Sequence, residues 1–551
     1  MRSHGATTSL EAMGARDVRD LLLARELEPG EVSALLAPYG FRDPVEADRE
    51  LQRLAADPTV RQRLAELLPD LLRCLSQSAD PDEALSRLER FMRASLGPLQ
   101  LLSELAERPH AMELLARAFG ASSFMAEILV RNPPWFYWLA DPQVLERSRG
   151  RAAIEADLDR FLAPLTSIER RLAALRIVRR REILHIGVRD LLRLATVEET
   201  LASLTVLAEV LIQKAYELAE ETLRREHGLP QLSPDERTSG SGFTVLALGK
   251  LGAGELNFSS DVDLVYLYAS DRGRMARRAS APTRDEHSTA LARRVTSYLA
   301  ETTTEGSVYR VDLRLRPEGR MGALAQPLRA FEEYYRTRGR TWERLALLRA
   351  RPVAGDRPLG ARFLGRVRPF LFGRPFDAAA VAEVRQLKEE TDSEVARRGE
   401  TERNVKLGTG GIREVEFLVQ AFQLRFGRRR PGLRVRDTLG VLDALRHTRL
   451  LGEEEHGALR RAYVFLRDVE NKLQMVADAQ VHALPVSDDE IRLCALRLGY
   501  RDEAALDAGE ALWRDHRSHT GAVNRIFTAV FSGDRLEDAA RAVSRRRRSD
   551  G

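Results

Sequence analysis

The residues best suited to chemistry lie between Gly249 and Asp263, in the segment GKLGAGELNFSSDVD. Asp261 and Asp263 are two residues apart, so on a β-strand both carboxylates would point to one face. Two carboxylates at such a short distance repel each other unless a cation lies between them. Their hard oxygen atoms suit Mg²⁺. The spacing therefore predicts a magnesium-binding pair beside a strand, although Asp-x-Asp alone is also common in turns.

A third carboxylate is available in the segment Val308–Arg316, which alternates between polar and apolar residues like a strand. Asp312 shares one predicted face of it with Arg310, Arg314 and Arg316. Aspartates on adjacent strands can hold two metal ions about 3.5–4 Å apart, an arrangement that promotes in-line phosphoryl transfer. We therefore predict a catalytic and metal-binding role for this aspartate together with the earlier pair.

Groups that could bind the phosphates of a nucleotide lie close to these aspartates in the sequence. Glycine lets backbone N–H groups approach a phosphate, serine donates a hydrogen bond, and lysine or arginine neutralises developing charge. The residues predicted to bind nucleotide or phosphate are Gly249, Lys250, Gly252, Ser259, Ser260, Arg314 and Arg316, with Lys406 and Arg413 further along the chain. For the last two, an ordinary glycine-capped helix start is an equal alternative.

Two well-known phosphate-binding motifs do not fit this segment. A Walker loop needs Ser or Thr after Gly-Lys and an upstream glycine separated from that pair by four residues, whereas Leu251 and Thr244 stand at these positions. The dinucleotide-binding fingerprint needs a different spacing from that of Gly249, Gly252 and Gly254. The segment therefore predicts neither a Walker ATPase nor a dinucleotide-binding fold.

Hydrophobic periodicity predicts the elements that position these residues. Phe243–Leu248 and Asp263–Tyr268 are short apolar runs typical of buried strands, and Ser288–Glu301 has helical spacing. The rest of the chain is dominated by helical periodicity. The predicted fold is α+β and mostly helical. Its predicted parts are a helical region at 1–238, an α/β domain at 239–355, a helical domain at 356–540 and a disordered basic tail at 541–551.

Composition narrows the class of protein. The chain has 551 residues, 44% apolar and 31% charged, which is typical of a globular protein. Its two cysteines imply no disulfide framework, which favours the cytoplasm, and the apolar stretch Leu201–Ile212 is too short to span a membrane. The net charge is +5, and Arg545–Arg548 supplies four of these positive charges. The nearly neutral remainder argues against nucleic acid as a partner.

Three blocks together resemble one family. The first is GKLGAGELNFSSDVDLVYLY with the later YRVDLRLRPEGRMGAL, the second is NVKLGTGGIREVEFLVQ, and the third is VENKLQMVADAQVHALP. They are similar to the glutamine synthetase adenylyltransferase/deadenylylase family, within the polymerase-β-type nucleotidyltransferase superfamily. In the third block Glu470, Asn471 and Gln474 lie on one predicted helix. Both a polar helix contact and a substrate contact are open for them.

The resemblance implies one polymerase-β-like nucleotidyltransferase α/β domain set between helical domains, with Mg²⁺ as cofactor. It implies glutamine synthetase, ATP or ADP, and phosphate as partners, and a PII-type signal protein as a further candidate. The blocks resemble the half of the family that removes AMP from a tyrosine by phosphorolysis, giving ADP. Adenylyl transfer from ATP, nucleotidyl transfer to another protein, nucleic acid or small molecule, and non-catalytic regulation of glutamine synthetase stay open. Ala253 departs from the family, which usually has glycine there.

Overall fold

The computed structural model describes residues 17–95, 97–228, 242–272, 275 and 281–532. The predicted basic tail at 541–551 and the predicted boundary at 238–239 lie outside these residues. Among the described helices, none is long and apolar enough to cross a membrane.

The described residues from Asp20 to His227 are almost entirely helical, as the periodicity predicted. Many of these helices begin with proline directly after a capping residue, as at Asp57, whose carboxylate accepts the N–H groups of Thr59 and Val60. The helices are α1 (Asp20–Leu23), α2 (Pro29–Leu36), α3 (Pro44–Leu54), α4 (Pro58–Ser76), α5 (Pro81–Ala94), α6 (Pro98–Glu107), α7 (Pro109–Ala121), α8 (Ser123–Arg131), α9 (Pro134–Leu139), α10 (Pro142–Leu145), α11 (Arg151–Leu162), α12 (Ile168–Leu191) and α13 (Val197–His227).

A small mixed sheet follows. Its strands are β1 (Phe243–Ala247), β2 (Val262–Tyr268), β3 (Val311–Asp312), β4 (Ala325–Pro327) and β5 (Arg351–Gly355). β1 lies between β2 and β5 and is antiparallel to both, while β3 and β4 both pair in parallel with β2. The first two predicted strands are confirmed. The pairing of β2 with β3 places the second and third predicted strands, which carry Asp263 and Asp312, side by side.

The predicted third strand is much shorter than the sequence suggested. A strand was expected over Val308–Arg316, but only Val311 and Asp312 pair with β2. The strand ends because Asp312 Oδ1 accepts the N–H group of Arg314 at 2.8 Å, which turns the chain. The predicted common face of four alternating side chains therefore does not exist beyond this point.

Helices dominate again after the third strand, and they confirm the predicted mostly helical α+β class. The likeness to polymerase β stays a prediction. Between and after the strands lie α14 (Gly249–Ala253), α15 (Arg284–Ala300), α16 (Leu328–Thr337), α17 (Thr341–Leu347), α18 (Arg357–Arg368), α19 (Ala378–Arg397), α20 (Ile412–Phe426), α21 (Thr438–His447), α22 (Glu453–Gln474), α23 (Asp488–Arg497) and α24 (Ala508–Ser532).

The sheet is covered by helices on both faces, because its two central strands are apolar on both sides. Val245 and Tyr266 pack into an apolar core shared with α1–α13 and α15. Leu246 and Leu267 point the other way, into a second core built largely from helices α16–α24. Continuous apolar runs are what strands buried on both faces require. The aspartates at the end of β2 therefore stand on a rigid element.

Candidate functional site

The turn between β1 and β2 brings backbone and carboxylate into close contact. Gly249 has a φ of +53°, and a Cβ there would lie 2.1 Å from Asp263 Oδ2, so only glycine fits this position. Gly254, with a φ of +83°, ends α14. Ala253 lies within the helix without a positive φ, so its departure from the family's glycine causes no backbone strain.

Asp263 and Asp312 are direct neighbours on the parallel strands β2 and β3. Burial raises the pKa of Asp263 to about 6, and the negative charges of Asp312 and Asp261 add to this effect. Burial also disfavours ionised Asp312, but Arg314 bonds lower the pKa of that carboxyl below its ordinary value. Asp263 is thus the carboxylate most in need of a cation.

Asp261 lies nearer the surface and is paired with an arginine. Arg310 Nε donates to Asp261 Oδ1 at 2.9 Å, and the same guanidinium donates to the backbone oxygen of Ser259 at 2.5 Å and to its Oγ at 3.0 Å. Sequence reasoning placed Arg310 on the face of Asp312 but gave it no role. The signal that could have found it is the Arg-x-Asp spacing beside a predicted carboxylate pair.

The aspartates suit Mg²⁺ in chemistry but are not gathered into a ready-made cage. Within the described ranges, no three His, Cys, Asp or Glu side chains are grouped so that they could hold a metal ion together. Mg²⁺, however, is often held by one or two carboxylates together with substrate phosphates. The neighbouring Asp263 and Asp312 are two carboxylates that could serve as such ligands, and a cation there would relieve the unfavourable negative charge that the raised pKa of Asp263 reflects.

Lys406 and Arg413 lie close enough to Asp263 for their charges to act on it. Both positive charges act to lower the pKa of Asp263, against the effect of burial. In the part of the chain that the structure describes, the Lys406 ammonium has no hydrogen bond or ion pair assigned to it. Arg413 lies over the Phe417 ring and 3.5 Å from Glu416 Oε2, with 39% of its side chain exposed. Both remain accessible candidates for phosphate.

Lys250 is not placed as predicted. Its ammonium donates to Asn257 Oδ1 at 2.8 Å and to both carboxylate oxygens of Glu470 at 2.7 Å. Burial lowers the pKa of Lys250 to about 7, while the Glu470 carboxylate favours the charged form. All three donors of the ammonium are used inside the protein, so the predicted phosphate contact is not available in this arrangement.

Two other residues predicted to bind phosphate also have structural partners. The N–H group of Gly252 donates to Leu248 O at 2.8 Å, and a Cβ there would lie 2.4 Å from Arg349 O, so this glycine serves close packing. Ser260 Oγ accepts the N–H group of Asn257 at 3.2 Å, which closes the turn before β2. The geometry therefore gives Gly252 a packing role, whereas the hydroxyl proton of Ser260 can still be donated to a phosphate.

The remaining predicted residues stand close to the aspartates with mixed roles. Ser259 is buried and bound by Arg310 through its Oγ. Arg314 forms an ion pair with Asp312 at 2.5 Å and leaves 62% of its side chain exposed. Arg316 instead donates to backbone oxygens of the following turn, including Leu313 O at 2.7 Å and Gly322 O at 3.0 Å. Arg316 shapes the turn, whereas Arg314 is exposed enough to meet a substrate.

Comparison with known proteins finds two matching family models and several curated relatives. Residues 112–366 match the family model of glutamate-ammonia ligase adenylyltransferase, and residues 382–531 match that of GlnD PII-uridylyltransferase. Relatives named bifunctional glutamine synthetase adenylyltransferase/adenylyl-removing enzyme include one from Stenotrophomonas maltophilia (strain K279a), 40% identical over 78% of this chain and 43% of its own length. Another, from Thioalkalivibrio sulfidiphilus (strain HL-EbGR7), is 38% identical over 79% of this chain and 44% of its own length.

The two family-model matches together lie between residues 112 and 531 of the chain. Over residues 112–366 the chain is similar to the glutamine synthetase adenylyltransferase family, as the sequence blocks indicated. The chain spans less than half the length of these curated relatives.

Proposed function

We propose that this chain catalyses Mg²⁺-dependent nucleotidyl transfer on a tyrosine of glutamine synthetase. The observation that carries the proposal is the pairing of Asp263 with Asp312 on neighbouring parallel strands, within electrostatic reach of Lys406 and Arg413. Two buried or half-buried carboxylates near two cations form a site that can bind a metal–phosphate group. The names of the relatives, which describe enzymes that act on glutamine synthetase, support this choice of substrate.

Within this proposal the chain's own residues have separate tasks. Asp263 and Asp312, with Asp261 at the rim, would hold Mg²⁺, which when bound neutralises charge on the transferring phosphoryl group. Lys406 and Arg413 would bind phosphate oxygens and orient the nucleotide for an in-line displacement. Arg314, which leaves most of its side chain exposed, would approach the same phosphates from the side of β3.

We propose removal of AMP by phosphorolysis as the direction. In this reaction a phosphate oxygen attacks the adenylyl phosphorus and the bond to the tyrosine oxygen breaks. The products are ADP and an unmodified tyrosine side chain on the protein. The support is the likeness of the segments 257–263, 404–417 and 470–485 to the family's AMP-removing half. Attachment of AMP from ATP is the alternative, because the same aspartates serve either direction.

Further parts of the proposal concern partners and location. Residues 382–531 match the GlnD PII-uridylyltransferase model, which supports a PII-type signal protein as a regulatory partner. A cytoplasmic location is proposed with it, since both partner proteins would have to meet the chain there.

The test is incubation of the chain with Mg²⁺, phosphate and adenylylated glutamine synthetase, with products read by mass spectrometry. ADP release that requires phosphate is expected, and the Asp312→Asn variant serves as the inactive control. If ADP never forms while ATP and unmodified glutamine synthetase yield pyrophosphate and a gain of one AMP, the direction is reversed. If neither reaction occurs, glutamine synthetase is not the substrate.

A further inference from the structure

The loop that precedes Asp261 is bound by one face of helix α22. Arg467, Glu470, Asn471 and Gln474 follow the i, i+3, i+4, i+7 spacing of a single helical stripe. All four are fully buried, and each contacts the loop 257–259 or the Lys250 side chain beside it. Within the described residues Arg467 Nε, Asn471 Nδ2 and Gln474 Nε2 have no hydrogen-bond partner, so the stripe binds the loop through the amide oxygens and the Arg467 Nη2 group.

Two amide side chains make the most direct contacts. Gln474 Oε1 accepts the backbone N–H group of Ser259 at 3.0 Å. Asn471 Oδ1 accepts Asn257 Nδ2 at 2.7 Å and the backbone N–H group of Phe258 at 3.4 Å. Because a backbone N–H group can only donate, these contacts fix which end of each amide faces the loop.

The other two side chains of the stripe act on the side-chain oxygen of Asn257, Arg467 directly and Glu470 through Lys250. Arg467 Nη2 donates to Asn257 Oδ1 at 2.6 Å, and Lys250, itself bound to Glu470, donates to the same oxygen at 2.8 Å. The Asn257 side chain therefore accepts hydrogen bonds from two cationic groups and donates one from Nδ2 to Asn471. The loop is bound at three consecutive residues just before the carboxylate pair begins.

Helix α22 is itself anchored at its C-terminal end. Ser122 Oγ donates to Met475 O at 2.5 Å, and Ser123 Oγ donates to Val476 O at 2.8 Å. Lys472, one residue after Asn471, forms a buried ion pair with Asp190 of α12. A helix held from two directions can set the position of a loop, since its own side chains have little freedom to shift.

We propose that Asn471 and Gln474 are positioning residues, which hold the loop 257–259 so that Asp261 and Asp263 stand correctly for nucleotidyl transfer. This inference rests on the proposed function. It links the two matched parts of the chain. The aspartates lie in the part similar to glutamate-ammonia ligase adenylyltransferase, and the amides lie in the part similar to GlnD PII-uridylyltransferase. A protein that shifts α22 would thereby change the rate of transfer.

The kinetic test compares Gln474→Met, Gln474→Glu and Gln423→Met. Methionine keeps the volume of Gln474 but removes the acceptor, whereas glutamate keeps an acceptor in either protonation state. Gln423 is an equally buried amide whose Nε2 donates to Leu433 O and Val435 O, so its replacement controls for a merely structural loss. We expect kcat of Gln474→Met to fall about 10- to 100-fold with KM little changed.

Gln474→Glu should recover most of this kcat, and Gln423→Met should lower the melting temperature without lowering kcat. If Gln474→Met loses stability but keeps the wild-type kcat, as the control does, the positioning role is refuted. If its effect falls on KM alone, positioning of the aspartates is also refuted.

Amide hydrogen exchange tests the contact without relying on activity. The Ser259 and Phe258 N–H groups should exchange slowly in the wild-type chain, and exchange at Ser259 should accelerate in Gln474→Met. Fast exchange in the wild type would refute the proposal even if no variant folds. A wild-type chain without transfer activity would instead refute the proposed function, and the exchange rates would then decide whether α22 holds the loop.

Discussion

The two segments that carry the aspartates are fastened to the protein in different ways. The loop 257–263 is bound from behind by buried groups of helix α22, whereas the segment 310–316 pairs with the sheet through only two residues. The arginines of the second segment form ion pairs with the aspartates, Arg310 with Asp261 and Arg314 with Asp312. The side chains of Arg310 and Arg314 are 48% and 62% exposed.

This difference separates fixed groups from exchangeable ones. An exposed ion pair contributes about 0–1 kcal/mol, so a substrate phosphate can replace a carboxylate beside Arg310 or Arg314 at little cost. The buried Lys250–Glu470 pair cannot be opened so easily, because removing one partner leaves an uncompensated buried charge. The first segment therefore provides a fixed carboxylate frame, and the second provides cations that can turn toward a ligand.

The largest effect that would sharpen this comparison is expected at the first segment. Asp263→Asn and Asp261→Asn should abolish transfer, because the loss of one preorganised electrostatic group typically costs on the order of 10²–10³ in rate. Initial rates of ADP release measure the effect, and circular dichroism checks that the fold is intact. Asp159→Asn removes an exposed carboxylate of α11 and should keep the wild-type rate. Near-normal turnover in either site variant would contradict the metal assignment.

A second effect should appear in stability and should differ between the segments. Lys250→Met leaves Glu470 buried without its main partner, so the free energy of unfolding should fall by about 3–5 kcal/mol. Arg310→Ala breaks a half-exposed pair with Asp261 and the hydrogen bonds to Ser259, and it should lower the free energy of unfolding by less, about 1–2 kcal/mol. Chemical denaturation of both variants measures the difference. Similar losses in the two variants would show that the segments are fastened equally.

The strands that carry the aspartates could be predicted because their signals are local. Phe243–Ala247 and Val262–Tyr268 are apolar runs bounded by glycine and polar turns, and both are confirmed. β4 and β5 were missed because Ala325–Pro327 and Arg351–Gly355 are short and contain proline, which normally argues against a strand. β5 tolerates its proline at the edge of the sheet, where one side of the backbone has no partner strand.

The site shows the same division between local and distant information. The sequence predicted that Asp312 would lie beside the aspartate pair if the two strands were neighbours, and the pairing of β2 with β3 meets that condition. The role of Lys250 could not be predicted, since its partner Glu470 lies 220 residues away in the sequence. No periodicity reports such a contact. A lysine after a glycine therefore suggested a phosphate ligand, whereas the fold uses it to fasten a loop.

The smallest expected effect concerns the pH dependence of a buried ion pair that lies beside helix α14. Arg349, whose backbone oxygen contacts Gly252, donates from Nη1 to Glu416 Oε1 at 3.0 Å. Burial disfavours ionised Glu416, but the Arg349 charge outweighs it and lowers the pKa of Glu416 to about 2, from an ordinary 4.5. A carboxyl with a depressed pKa in the folded state stabilises the fold above its unfolded pKa, and this contribution is lost as pH falls.

Wild type should therefore exceed Glu416→Gln in free energy of unfolding by about 3 kcal/mol at neutral pH. The gap should begin to close below about pH 4.5 and shrink steadily toward pH 2, because protonation then removes the same charge from the wild type. Denaturant titrations at several pH values measure it. Glu333→Gln, which breaks an exposed pair with Arg336, should change stability little at any pH. A gap for Glu416→Gln that stays constant down to acid pH would show that the Arg349 ion pair does not support the turn beneath the aspartates.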